Sequence, residues 1–302
     1  MEEIITSVKN PKIKFLLELQ QKSAARRKSG LFVVEGRREV EHCLEAGYEV
    51  ESLFVSEQFI VNSEQLKVNS EHLKVNSEQF IVNSFDYTRG TDNSNFSVKG
   101  SIGKTIPNYS LFTVGSSLYE KIAYRGSTEG AIAIVKARQQ RLEDLQLCEK
   151  PLLVVLESVE KPGNLGAVLR SADAAQADAV VVCDPLTDLY NPNLIRSSLG
   201  AVFTVPTVAC SSEECIAFCR KNGIQILTAQ LQDSHLYYDT PMTEGTAIVM
   251  GTESTGLTDQ WRKAASAHIR IPMLGRLDSL NVSVSAAILL FEAVRQRQML
   301  MP

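Results

Sequence analysis

Leu152-Leu153-Val154-Val155-Leu156, followed by Glu157-Ser158-Val159-Glu160-Lys161-Pro162-Gly163-Asn164-Leu165-Gly166, is an apolar strand that turns through a Pro/Gly loop into a helix bearing Arg170. An unbroken apolar run of this length belongs to a strand covered on both faces, as in a parallel sheet. Downstream the same alternation recurs. Ala179–Cys183, Val202–Val205, Ile224–Ala229, Thr246–Met250 and His268–Ile271 read as strands. Helical patterns over Leu165–Ala175, Pro192–Leu199, Ser212–Asn222 and Ser283–Arg297 lie between several of them. Strands alternating with helices predict an α/β domain with a parallel sheet over residues 151–302. Ligands of such sheets sit at the carboxyl ends of the strands, so the loops there should carry the chemistry.

Upstream, Ile13–Gln20 has helical spacing, Leu31–Val34 and Leu53–Val55 read as strands, and Val40–Ala46 as a helix closed by Gly47. With Leu111–Val114 and Gly130–Lys136 they predict a smaller α/β domain over residues 1–140, joined by a charged linker at 141–150. An insert interrupts it. Ser56–Asn83 is four consecutive sevens, SEQFIVN, SEQLKVN, SEHLKVN and SEQFIVN. Their apolar positions are spaced by two and five, which does not make a coiled-coil seam. With the polar stretch that follows, residues 56–110 read as an inserted, largely mobile loop.

The 302 residues are 44% apolar and 22% charged, with no run long enough to span a membrane and an acidic Met1-Glu2-Glu3 start that lacks secretory order. Six cysteines without a signal read as reduced thiols of a cytoplasmic protein. The net charge of −4 conceals an asymmetry: residues 9–38 carry nine basic groups against two acidic ones, +7 locally on a body of −11. Such an arm can neutralise phosphates, although alone it is an ordinary solvated face. Lys9, Lys12, Arg26, Arg27, Lys28 and Arg37 are the candidate phosphate contacts, and would be RNA contacts if the rest of the chain points to RNA. Cys210, Cys215 and Cys219 lack C-x-x-C spacing and the four histidines are scattered, so no metal is expected.

Three loops carry the candidate chemistry: Glu157–Gly166 with Arg170 beyond it, Gly251-Thr252-Glu253-Ser254-Thr255-Gly256, and Pro272–Ser285, which holds Ser279-Leu280-Asn281-Val282-Ser283-Val284. Gly163, Gly166 and Asp184 would also suit a nicotinamide-binding turn, but G-x-G-x-x-G is absent. Taken together and in this order, the loops closely resemble the SpoU (TrmH-type) family of RNA ribose 2′-O-methyltransferases, of the SPOUT class. The basic segment ending in Phe32-Val33-Val34-Glu35-Gly36 is similar to the substrate-binding domain that many members carry ahead of the catalytic one.

The resemblance implies a C-terminal SPOUT parallel sheet ending in a deep trefoil knot, preceded by a small α/β substrate-binding domain. It implies a homodimer and S-adenosylmethionine held in the knot loops, with Gly251, Ile271, Met273 and Leu280 lining its site. It casts Arg170 as the catalytic residue, assisted by Asn164, Glu253, Ser279 and Asn281. An arginine stays charged at working pH, so Arg170 is better read as a phosphate clamp than as a literal base. The implied substrate is structured RNA, ribosomal ahead of transfer RNA. The rivals are a catalytically silent RNA-binding or assembly factor and a nicotinamide-dependent oxidoreductase.

Overall fold

A computed structural model describes residues 4–57, 86–89, 96–99, 109–124, 130–252 and 255–298. The repeats, but for their first residues, and Glu253 lie outside the described residues. The chain divides into two units, Met1–Ala137 and Arg138–Pro302.

In the first unit, α1 (Pro11–Gln21) starts where the Asn10 side chain accepts from the Lys12 N–H and Pro11 supplies a helix-ready φ. It buries Ile13, Leu16 and Leu19. After α2 (Ser23–Ser29) come β1 (Leu31–Glu35), α3 (Arg37–Glu45) and β2 (Val50–Ser56). Two short strands, β3 (Asp86–Arg89) and β4 (Phe96–Lys99), pair antiparallel within what reads from sequence as loop. β5 (Ser110–Val114), α4 (Ser116–Ile122) and β6 (Ala131–Lys136) complete the unit. The sheet order is β1-β6-β2-β5, with β6 antiparallel to both neighbours and β5 parallel to β2. Arg26 is a correction to the RNA-binding reading. It is buried, and its Nη1 donates to the carbonyls of Leu19 at 2.6 Å and Gln20 at 3.2 Å. It closes the carboxyl end of α1 instead of facing solvent.

The second unit begins with Leu142 and Leu145 buried in its core and a short 3₁₀ turn over Leu142–Asp144, so residues 141–150 pack on this unit. Its strands are β7 (Leu152–Glu157), β8 (Ala179–Cys183), β9 (Thr207–Cys210), β10 (Gln225–Ala229), β11 (His235–Leu236), β12 (Thr246–Met250) and β13 (Ala267–Arg270). They form one parallel sheet in the order β11-β13-β10-β12-β7-β8-β9. The helices are α5 (Pro162–Ala174), α6 (Pro192–Ser197), α7 (Ala201–Thr204), α8 (Ser212–Lys221), α9 (Asp259–Ala264) and α10 (Val282–Gln298). Leu153 and Val155 of β7 pack with Cys215 and Cys219 of α8 and Trp261 of α9. Side chains alternate along a strand, so Leu152, Val154 and Leu156 face the opposite layer, where α5 and α10 lie together over the sheet.

Val202–Val205 is not a strand. Leu199 and Gly200 both adopt left-handed φ values, +53° and +85°, and throw the chain into the single turn α7. Pro206 then ends that turn and the strand starts at Thr207. The last helix also closes the sheet from its open end. Arg297 donates to the carbonyl oxygens of Met242 (3.0 Å), Lys150 (2.6 Å), Pro151 (3.2 Å) and Glu244 (2.8 Å).

Candidate active site

The loops leaving β10, β12 and β13 enclose a cavity of about 460 Å³. Gly251 follows β12 and must be glycine: a Cβ there would collide with the Gly256 carbonyl and lie 2.6 Å from the Leu257 nitrogen. The loop folds back on itself through a Thr252–Gly256 bridge, with the Thr252 and Thr255 hydroxyls 2.7 Å apart and Gly256 at φ +67°. Its far end is pinned by Glu157, the last residue of β7 and 2% exposed. The Glu157 carboxylate accepts from the Thr258 N–H at 2.9 Å and the Thr258 hydroxyl at 2.6 Å. Beside it, the Ser212 hydroxyl donates to Asp184 at 2.6 Å and accepts from Trp261 Nε1 at 2.9 Å. Buried polar groups satisfied this fully stiffen what they join.

All four residues expected at a cofactor, Gly251, Ile271, Met273 and Leu280, line this cavity, as does Ser279. Sequence reading missed Gln230, Leu231 and Gln232 after β10, together with Arg262, Arg270 and Asp278. The apolar wall comes from Met250, Leu257 and Ile269. Gln230 Oε1 is buried there without a hydrogen-bond partner among the described residues, an acceptor left for a bound donor. An apolar slot with a few convergent polar groups fits a nucleoside-bearing cofactor.

A smaller hollow of about 150 Å³ adjoins the first, sharing Gly251, Thr252 and Val282 with it and adding Glu160, Lys161 and Asn164. Asn164 lies in the first turn of α5 and Asn281 just ahead of α10. Asn281 Nδ2 donates to Asn164 Oδ1 at 3.2 Å. The Asn281 Oδ1 accepts from the Ser283 N–H (3.0 Å) and hydroxyl (2.6 Å), capping α10. Two helix starts are thus tied together at the hollow. Arg170 is further along α5, exposed, on the lining of neither cavity and in no ion pair among the described residues. Glu253 lies outside the described residues.

Residues 151–291 match the SpoU rRNA Methylase family, and residues 10–85 match the MRM3-like substrate binding domain. The chain is 38% identical over 181 residues to the 23S rRNA (guanosine-2′-O-)-methyltransferase RlmB of Vibrio vulnificus (strain CMCP6), covering 58% of this chain and 73% of that one. The chain belongs to the SpoU rRNA methylase family.

Solved structures are also similar to this chain. One, an RNA 2′-O ribose methyltransferase, is 35% identical with a TM-score of 0.74, covering 98% of this chain and 100% of that one. Another, an AdoMet-bound rRNA methyltransferase from Sinorhizobium meliloti, is 25% identical with a TM-score of 0.77, covering 99% of each chain. This SpoU methylase is therefore an RNA ribose 2′-O-methyltransferase with S-adenosylmethionine as cofactor, and the nicotinamide and silent-binder readings fall.

The basic residues of its first unit divide by environment. Lys9, Lys12, Arg27 and Lys28 are exposed, and Lys12 Nζ sits 3.6 Å over the Phe112 ring. Arg37 is half-buried and pairs with Glu41 at 3.0 Å. Among the described residues no helix is long and apolar enough to cross a membrane.

Proposed function

We propose that this SpoU methylase modifies the 2′-hydroxyl of a guanosine in 23S rRNA, in the cytoplasm, as its relatives' names state of their RNA. Residues 1–140 would hold the RNA and residues 151–302 the cofactor and the chemistry. The observation that carries the reading is convergence: Gly251 after β12 and Ile271, Met273 and Leu280 after β13 come from two loops yet line one cavity, and Asn164 lines the hollow next to it. The fold likeness supports a trefoil knot among these loops. Exposed Val284 and Phe291 on α10, seven residues apart and so on one side of the helix, support a homodimer packed through that face.

Bound S-adenosylmethionine supplies an electrophilic methyl group. A ribose hydroxyl is a poor nucleophile at neutral pH, so this chain must place it and help its proton leave. Asn164 and Asn281, fixed by their mutual hydrogen bond, would orient the ribose at the hollow, with Ser279 beside the cofactor and Glu253 assisting. Arg170, exposed and charged, would clamp the phosphate of the target nucleotide, which takes part in accepting the proton.

The test is methyl transfer from radiolabelled S-adenosylmethionine into unmodified ribosomal and transfer RNA, with the product mapped by its resistance to alkaline cleavage. One labelled guanosine ribose in 23S rRNA is the expected result. Label confined to transfer RNA, or to a different base, would overturn the substrate assignment.

A further inference from the structure

Away from the cofactor cavity, three thiols meet. Cys183 ends β8 and Cys210 ends β9, and the two are partners in the parallel ladder, so both side chains leave the same face of the sheet. Cys215 sits in the second turn of α8, which lies on that face. The three Sγ atoms all lie within 4.8 Å of one another. Cys183 and Cys215 are fully buried, Cys210 is half-buried, and all three are free thiols.

Cys183 or Cys215 alone would be a small apolar residue in a core. Three thiols at mutual coordination distance have a further capacity. Three thiolate bonds of about 2.3 Å to one ion in a plane place the sulfurs about 4 Å apart, so closure needs a contraction of about 1 Å or less. Cys210 and Cys215 bracket the start of α8, whose positive end favours thiolates. Cys210 is open enough to admit an ion.

We propose that Cys183, Cys210 and Cys215 form a three-coordinate site for a thiophilic monovalent cation, Cu(I) in chemical class. Zinc closes its structural sites with four ligands, whereas this cluster offers three sulfurs and no histidine. Binding releases the three thiol protons to solvent as three sulfur–metal bonds form, with no change of oxidation state. The site stands at β8 and β9 and is independent of the methyl-transfer reading.

The experiment titrates the fully reduced protein with Cu(I) under argon against the chelator bathocuproine disulfonate. One Cu(I) per chain should leave the chelator, with near-ultraviolet thiolate-to-copper absorption. Emission from Trp261, the single tryptophan, should change with it, because its Nε1 is bonded to Ser212 at the start of α8. C210S, a change at the half-buried position, should weaken binding at least about tenfold with an unchanged melting temperature. C148S, at an exposed thiol outside the cluster, should bind as the parent does. Copper that stays with the chelator, that is lost in C148S, or that is held equally by C210S would overturn the site. If C210S fails to fold, X-ray absorption of the copper-loaded parent decides: a shell of three sulfurs supports the assignment, and oxygen or nitrogen ligands overturn it.

Discussion

Arg170 stands on α5 with its guanidinium in solvent and no ion pair among the described residues, so its charge is available to an incoming phosphate. Arg170→Ala should leave cofactor affinity within about twofold and lower turnover by about 10²–10³, the scale on which removing one pre-placed charge or donor acts. Separate equilibrium binding and single-turnover measurements check both halves, and near-normal turnover would remove Arg170 from the mechanism. Arg170→Lys keeps the charge but not the forked geometry and should not restore the rate. Gly251 makes the opposite prediction. An added methyl has nowhere to go against the Gly256 carbonyl, so Gly251→Ala should weaken cofactor binding about tenfold or more, seen by calorimetry, and should also lower the melting temperature, because the backbone of the loop has to shift. Arg26 behaves as neither. Its bonds to two α1 carbonyls make Arg26→Ala a stability mutation of about 1.5–3 kcal/mol, read from the unfolding midpoint of the first unit.

At the scale of elements, α10 depends on Asn281 twice, as its cap and as the link to Asn164 on α5. Asn281→Ala should cost about 0.5–2 kcal/mol from the cap alone, in denaturant unfolding. Asn281→Asp keeps the capping acceptor but loses the amide donor, so it should recover stability without recovering turnover. Most elements could be read from sequence because burial on both faces leaves unbroken apolar runs, as in β7 and β8. Those that could not are instructive. Val202-Phe203-Thr204-Val205 has strand composition, but left-handed Leu199 and Gly200 and the following Pro206 confine it to one helical turn. β11 is only two residues long and leaves no pattern to detect. At the site, the family resemblance pointed to Gly251, Ile271, Met273 and Leu280, and these four line one cavity. Gln230 and Arg270 were invisible because only the sheet order brings the ends of β10 and β13 to the same opening. The thiols of Cys183, Cys210 and Cys215 escaped for the same reason, since ladder register, and not spacing along the chain, unites them.

For the molecule as a whole, charge is separated between a basic amino-terminal segment and an acidic remainder. Affinity for RNA should therefore fall steeply with salt, and Arg27→Ala or Lys28→Ala should each lower the slope of log affinity against log salt by about one while leaving the fold intact. Every residue lining the 460 Å³ cavity proposed for the cofactor belongs to the second unit. Deleting residues 58–85, the bulk of the repeats, should accordingly leave cofactor affinity unchanged, and loss of binding would show that the insert supports the fold.

Arg297 adds a consequence in time. The four carbonyls it gathers lie at Lys150, Pro151, Met242 and Glu244, at the mouth of the central strands, yet it is among the last residues of the final helix. A protein made from its amino end must hold β7 and β12 in waiting, with those oxygens on water, until translation has passed Arg297 and the ribosome has released it. Folding of the second unit is thereby deferred until Arg297 has been made, and a force-sensitive arrest measurement on nascent chains should register it only once Arg297 has cleared the exit tunnel.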